Sequence, residues 1–339
     1  MDLYLITSLF ILSTALLIGF LFTFVFTITW IKKAKQIGLV WEDMNKKNFP
    51  RNIVGSGGIS VLLGFVLGVL FYIQIKTFYF KSTENLIEIL ALVNSILIIG
   101  SIGFLDDLFG WRKGGLSKKS RIILILFAAI PLIVINAGVS TMMGIEFGLL
   151  YPLFFIPLGV VGASVTFNFI AGYNGLETSQ GILILFALTI VNLGLGNKWL
   201  ALVSAIMVSS LIAFYIFNKY PSKVFPGDVL TYPVGALIAG IAILGNIEKI
   251  AVFFFIPYII ETGLKLRGGL KKESFGKVNK DGSLDLKYQK IYGLEHLSIY
   301  LMKKLNIKAT EKRVVYSINL FQIMIIVLGL ILFGNTIFI

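Results

Sequence analysis

The chain has 339 residues, 57% of them hydrophobic and 14% charged, with a mean hydropathy of +0.90. That composition excludes an ordinary soluble globular domain and points to a polytopic membrane protein. With a net charge of +13, no cysteine and one histidine (His296), disulfides, thiolate metal sites and histidine clusters are excluded; carboxylates, amides, lysines and arginines must carry any chemistry.

Apolar runs of about 18 residues or more read as membrane-spanning helices. Ten candidates follow in chain order: Tyr4–Trp30, Val54–Ile75, Leu86–Leu105, Ile122–Ala137, Leu150–Phe169, Gly181–Leu195, Leu200–Phe217, Val229–Gly245, Ile250–Leu264 and Val314–Phe338. The first has no basic residue before it and reads as a retained helix, not a cleaved signal peptide. The third ends on two adjacent acids, Asp106 and Asp107. At a helix C-terminus each opposes the macrodipole by a few tenths of a kcal/mol. Asn168 lies near the end of the fifth run, followed by the loop residues Ala171–Gly181, and Asp228 opens the eighth behind a Pro226-Gly227 turn. After the ninth run, residues 265–313 form a basic loop. Within it KVNKDGSLDLKY reads as a hairpin turning at Asp281-Gly282, and GLEHLSIYLMKKL as an amphipathic interfacial helix.

Charge distribution sets the expected orientation. All lysines and arginines except Lys76, Lys81, Lys198 and Lys249 fall in odd-numbered loops or at their edges. The positive-inside rule then puts the odd loops in the cytoplasm and both termini outside. The positive charge is explained by topology and anionic lipid, not by nucleic acid. The expected fold is a single all-α integral membrane domain over residues 1–339, of about ten transmembrane helices, with the hairpin and amphipathic helix inserted in the ninth loop.

Plain structural roles remain open for each polar residue. Asp106 and Asp107 fit a solvated helix end paired with Lys113 or Lys118. Asn174-Gly175 fits an ordinary turn, Asn168 a cap or interhelical hydrogen bond, and Asp228 an N-cap. Together, however, three carboxylates and two carboxamides face basic loops at one membrane surface. Oxygen donors of this kind suit Mg²⁺, with Mn²⁺ as an alternative, and the ion takes its other ligands from phosphates. Glycines such as Gly172, Gly175 and Gly227 allow backbone N–H groups close to an anion, and Phe225 is placed to stack on a base. This is equipment for phosphoryl-type transfer.

The motifs DMNK (Asp43–Lys46), FLDD (Phe104–Asp107), FNFIAGYNGLE (Phe167–Glu177) and FPGD (Phe225–Asp228) resemble, in order and spacing, those of the polyprenyl-phosphate N-acetylhexosamine-1-phosphate transferases. AGYNGLE and DMNK look like the eukaryotic and archaeal dolichyl-phosphate GlcNAc-1-phosphate branch, while the bacterial translocases carry further aspartates and a histidine-rich ninth loop. The resemblance implies that UDP-GlcNAc and polyprenyl (dolichyl) phosphate give GlcNAc-diphospho-polyprenol and UMP, initiating lipid-linked oligosaccharide synthesis for N-glycosylation. Another UDP-amino sugar, or a cell-envelope polymer, is the alternative within the class. A transporter or flippase is the rival outside it, and the scarcity of mid-helix charge weighs against that.

By motif position the resemblance implies metal ligands Asn168 and Asp228, and catalytic residues Asp106 and Asp107 with a phosphate-binding Arg121, or Lys119 in its place. Asp43, Asn45, Gly172, Asn174, Glu177 and Phe225 are implied at the substrate, with Arg267, Lys271 and Lys272 on the diphosphate. Attack by the lipid phosphate, already anionic near neutral pH, is expected to be direct, without an aspartyl intermediate. The expected setting is a multi-pass cell-membrane enzyme with its active site on the cytoplasmic face, with a homodimer as an open option.

Overall fold

The computed structural model describes residues 3–48, 50–142 and 144–338. It is mostly helical, as the apolar runs require, because a backbone in hydrocarbon must satisfy its hydrogen bonds within each segment. The chain begins with α1 (Leu3–Gln36), then β1 (Val40–Glu42) and β2 (Arg51–Val54), an antiparallel pair in the first loop. Helices α2 (Gly58–Phe78), α3 (Leu86–Lys113) and α4 (Lys118–Val134) follow, then a short pair, β3 (Thr141–Met142) with β4 (Ile145–Glu146). A π-helical turn over Tyr151–Phe155 leads into α5 (Ile156–Phe167). After it come α6 (Leu176–Gly194), α7 (Lys198–Asn218), α8 (Asp228–Leu244), α9 (Glu248–Phe254) and α10 (Ile256–Arg267). The ninth loop holds β5 (Lys277–Val278) paired antiparallel with β6 (Leu284–Asp285), and α11 (Leu294–Lys304). The chain closes with α12 (Glu311–Leu332) and α13 (Gly334–Ile337).

Six described helices are long and apolar enough to cross a bilayer: those at Leu12–Gln36, Gly58–Phe78, Leu86–Arg112, Leu176–Gly194, Lys198–Asn218 and Glu311–Leu332. Shorter apolar helices at Tyr151–Phe167 and Asp228–Leu244 pack among them. The chain is therefore a polytopic membrane protein. Large apolar side chains such as Leu21 and Val25 on α1 and Ile123 and Phe127 on α4 stay exposed on the outside of the bundle. Such exposure is a liability in water and is expected against lipid.

Three boundaries differ from the sequence reading. Helix α3 does not stop at Leu105 but continues past both aspartates to Lys113, ending on Gly114 in the left-handed region (φ 89°). The fourth helix starts earlier than the apolar run, at Lys118, because the Ser117 side chain accepts from Ser120 N (3.1 Å) as its N-cap. The ninth run is broken into α9 and α10 at Phe255, just ahead of Pro257, which has no N–H to continue the ladder.

Helix α8 is the axis of the fold. Every residue from Val229 to Ile243 is buried, and it touches α2, α3, α5, α6, α7 and α9. A helix apolar on all sides belongs in the middle of a bundle. Helix α3 comes close to the first turn of α8 because residue 103 is glycine: a Cβ there would lie 2.4 Å from the Asp228 carbonyl oxygen. That approach brings the residues one turn further along α3 to the start of α8.

Candidate active site

The approach of α3 to α8 explains the paired acids. Asp107 Oδ1 accepts a hydrogen bond from Asp228 N (2.8 Å) and Oδ2 one from Val229 N (3.3 Å). Gly227 is the N-cap residue of α8 and has no side chain to cap it, so Asp107 serves the free N–H groups from another helix. Its charge therefore sits at the positive end of the α8 dipole, which outweighs its position on α3. The N-cap role open to Asp228 in the sequence is thus filled by Asp107, and Asp228 is the first residue of the helix, with its carboxylate accepting from Asn168 Nδ2 (2.9 Å). Asn168 ends α5 and is oriented by Thr231, whose Oγ1 donates to Asn168 Oδ1 (3.2 Å).

Asp106 also meets α8, accepting from the Tyr232 hydroxyl at Oδ2 (3.5 Å), but its closer partners lie in the third loop and α4. Its Oδ2 lies 2.6 Å from Arg121 Nε, and its Oδ1 accepts from Leu116 N (2.7 Å), which folds the loop between α3 and α4 back onto α3. It is 3% exposed and pairs with Arg121; the Lys113 side chain lies outside what is described. Lys118 instead donates to the Leu270 carbonyl (3.1 Å), joining the third and ninth loops.

A cavity of about 590 Å³ opens over Asp107, Asn168 and Asp228. Asp43, Gly172, Glu177 and Phe225 also line it. Phe225 is held by the start of α2: Phe225 N donates to Val54 O (2.7 Å), and Gly57 N donates to Phe225 O (2.9 Å). Glu177 Oε1 accepts from Gly172 N (2.8 Å), closing the AGYNGLE loop on itself. Four aromatic residues, Trp41, Tyr173, Phe225 and Phe275, form much of the wall. Burial pushes the Tyr173 hydroxyl well above its ordinary pKa, so it remains neutral.

The electrostatics of the lining are one-sided. Glu42, Asp43, Asp107, Glu177 and Asp228 all line the cavity, and among the described residues no lysine or arginine does. A phosphate group entering such a cavity is repelled unless a cation accompanies it. The donors fit a hard divalent ion: two carboxylates and a carboxamide meet at one spot, and magnesium needs few protein ligands when phosphate and water supply the rest. Among the described residues no set of three or more acidic, histidine or cysteine side chains forms a complete metal cage.

Other residues singled out in the sequence lie elsewhere. Asn174 is 4% exposed and does not line the cavity; its N–H and Nδ2 donate to Glu311, Nδ2 also reaches Asp43 Oδ2 (3.2 Å), and Oδ1 accepts from Ser222 N (2.9 Å). Asn45 donates to the Gly172 carbonyl (2.8 Å), pinning the first loop to the fifth. Lys119, Arg267 and Lys271 are exposed and outside the cavity, and Lys272 lies over the Tyr288 ring (5.0 Å to the centroid). The ninth loop contributes Phe275 to the cavity instead.

Glu311, Thr231 and Trp41 were not visible as site residues in the sequence. Glu311 reads there as an ordinary acid in the first turn of a helix, yet it is 3% exposed and joins Lys46 to Asn174. Glu311→Ala is expected to lower stability by about 1–3 kcal/mol, because it strands the buried Asn174 N–H while Lys46 keeps only Asp43 (3.3 Å) as an ion-pair partner among the described residues. Thermal unfolding in detergent reads this out; an unchanged midpoint would show that the network does not hold the loops.

A second cavity, of about 370 Å³ and almost wholly apolar, runs between α5, α8 and α9. Thr166, two residues before Asn168, marks one end, and a Tyr151–Glu248 hydrogen bond marks another part of its wall.

Comparisons with known proteins identify relatives of the chain. The profile of the family described as glycosyl transferase family 4 matches residues 89–246. A protein of Saccharolobus solfataricus is 38% identical over 79% of this chain and 82% of its own length. One of Sulfolobus acidocaldarius is 32% identical over 80% and 82%. Both are provisionally named UDP-N-acetylglucosamine–dolichyl-phosphate N-acetylglucosaminephosphotransferase. A Dictyostelium discoideum protein carrying that name outright is 30% identical over 66% of this chain and 64% of its own.

Proposed function

The chain belongs to glycosyl transferase family 4, and from that premise we propose that it transfers GlcNAc-1-phosphate from UDP-GlcNAc to a dolichyl-type polyprenyl phosphate. A phosphate oxygen of the lipid attacks the sugar-bearing phosphorus of the nucleotide. The bond from that phosphorus to the bridging oxygen breaks, and UMP leaves. The product, GlcNAc-diphospho-polyprenol, would start lipid-linked oligosaccharide assembly for N-glycosylation. The observation that carries this reading is the meeting of Asp107, Asn168 and Asp228 in one acidic cavity.

Asp228 and Asn168 would hold magnesium, with Asp107 behind them fixing the helix turn on which Asp228 stands. Bound there, Mg²⁺ would neutralise the diphosphate as charge shifts onto the leaving phosphate. Asp107 has both oxygens engaged by backbone N–H groups, and Asp106 is engaged by Leu116 and Arg121. These contacts give both carboxylates an anchoring role, in keeping with direct attack by the lipid phosphate. Arg121 then holds Asp106 and the third loop in place. Phe225 would stack on the uracil ring. The apolar groove beside α5 would take the start of the polyprenyl chain, since its Thr166 end lies near Asn168 in the chain.

The topology proposed with this function has ten crossings, α9 and α10 together making one broken crossing, and both termini outside. The cavity would face the cytoplasm, because the loops that form it are the odd-numbered loops of the positive-inside reading.

The test is an assay of the purified full chain in detergent with Mg²⁺, polyprenyl phosphate and a panel of UDP-sugars, following UMP and lipid product. UDP-GlcNAc should be the donor used, and no UMP from any sugar would refute the transferase reading. Chelation with EDTA should stop UMP release, and added Mg²⁺ or Mn²⁺ should restore it. Turnover that persists in EDTA would remove the metal from the mechanism.

A further inference from the structure

A third cavity, of about 460 Å³, adjoins the acidic one. Met44 and Phe275 line both and so form the shared wall. Its charged lining is opposite in sign: Lys46, Lys47, Lys277 and Lys287 face it, and among the described residues no carboxylate does. Two of these lysines have carboxylate partners, Lys46 with Glu311 and Lys287 with Glu273. Lys47 and Lys277 are exposed and form no ion pair among the described residues. Asp285, which stands opposite Lys277 in the β5–β6 ladder, is taken by Lys303 (2.7 Å). Two exposed ammonium groups outside any ion pair among the described residues thus stand beside a cavity whose own lining repels phosphate.

We propose that this lysine-lined groove is a docking site for the phosphate-bearing part of the sugar nucleotide, occupied on the way into the catalytic cavity and again as the nucleoside monophosphate leaves. The inference rests on the transferase reading above. The physical reason is the field. A diphosphate approaching the acidic cavity from solution meets like charge, whereas a neighbouring patch of the opposite sign raises its local concentration at the cavity mouth. The groove's volume lies within the range of small-molecule sites. Its two sides come from different loops, Lys47 from the first and Lys277 from β5 of the ninth, so the site exists only where these loops meet.

The test compares the full chain with the double variant Lys47→Gln/Lys277→Gln in detergent. The variant should raise KM for UDP-GlcNAc about fivefold at low salt, leave kcat within about twofold, and flatten the fall of kcat/KM with ionic strength. An unchanged KM and an unchanged salt slope would overturn the groove while leaving the transferase reading standing. Failure of that reading is separate, because then the parent chain releases no UMP. Equilibrium binding of UMP in EDTA supplies a readout independent of turnover: affinity should fall several-fold in the variant, and equal affinities count against the groove. Inorganic phosphate, tested in parallel, should bind more weakly than UMP; equal binding would mean that a bare phosphate group, from any source, is all the groove recognises. The pair Lys47→Arg/Lys277→Arg should keep the parent KM and salt slope. If the arginine pair fails as the glutamine pair does, charge is not the operative property and the proposal falls.

Discussion

Asp228→Asn is expected to abolish turnover, lowering kcat by about a thousandfold or more, while the fold is retained. The side chain keeps its size, so packing at the start of α8 is undisturbed. It loses one unit of negative charge where a carboxylate and a carboxamide from different helices touch within the cavity. The new amide also faces Asn168, whose Nδ2 now donates to the carboxylate at 2.9 Å. The asparagine carboxamide oxygen can still accept from Asn168, but the pair no longer offers a charged oxygen to a cation. The decisive comparison is turnover against thermal stability in the same detergent. Lost activity with an unchanged unfolding midpoint supports the metal-holding role. Retained activity would place the chemistry elsewhere. Mg²⁺-dependent binding of the nucleotide should disappear in parallel, which a purely structural role for Asp228 does not require.

The paired aspartates show how far the sequence could be read. Composition and apolar runs were enough for a polytopic helical protein, because a bilayer restricts the backbone so strongly. The misfit of two acids after an apolar run was also visible. Its resolution was not, because the compensating group is the N-terminus of α8, more than a hundred residues away and brought close by the small residue at 103. The two acids look equivalent in sequence, yet successive positions on a helix point about 100° apart, so Asp107 caps the N-terminus of α8 while Asp106 pairs with Arg121 and reaches Tyr232 one turn further along α8. Asn174 sits in a motif that reads as a binding loop, but its polar atoms are engaged by Glu311, Asp43 and Ser222. Glu311 could not have been chosen from sequence, since an acid in the first turn of a helix is expected on dipole grounds alone.

The ninth loop was hardest to place. Its charge is evident along the chain, but which lysines meet a cavity depends on the break at Phe255, on the β5–β6 pair and on the docking of α11. The basic residues nearest the end of α10, Arg267, Lys271 and Lys272, were the natural choice by motif position. The fold presents Phe275 and Lys277 to the cavities instead. Loop conformation, unlike a membrane span, carries no periodic signal that survives without its tertiary partners.

Gly227→Ala is expected to lower turnover by about a hundredfold, although the substituted residue carries no chemistry of its own. Gly227 has φ 73° and ψ 173°, a conformation that L side chains rarely adopt, so backbone strain alone costs about 1–3 kcal/mol. The added Cβ would also lie 2.2 Å from Asp107 Oδ2 and 3.0 Å from Oδ1. Asp107 cannot simply swing away, because both oxygens are held by the first two N–H groups of α8. Either the carboxylate leaves the helix N-terminus or the turn moves, and in both cases Asp228 shifts relative to Asn168. Displacement of a positioned group by about 1 Å is enough to cost about two orders of magnitude in rate. Gly196→Ala is the control. Gly196 also has positive φ (78°) but nothing within 4 Å of an added Cβ, so it bears the strain without the collision. It should lower the unfolding midpoint modestly and leave kcat unchanged. If both variants lose stability to the same extent and neither loses turnover, Asp107 does not position Asp228, and the α3–α8 contact serves the fold alone.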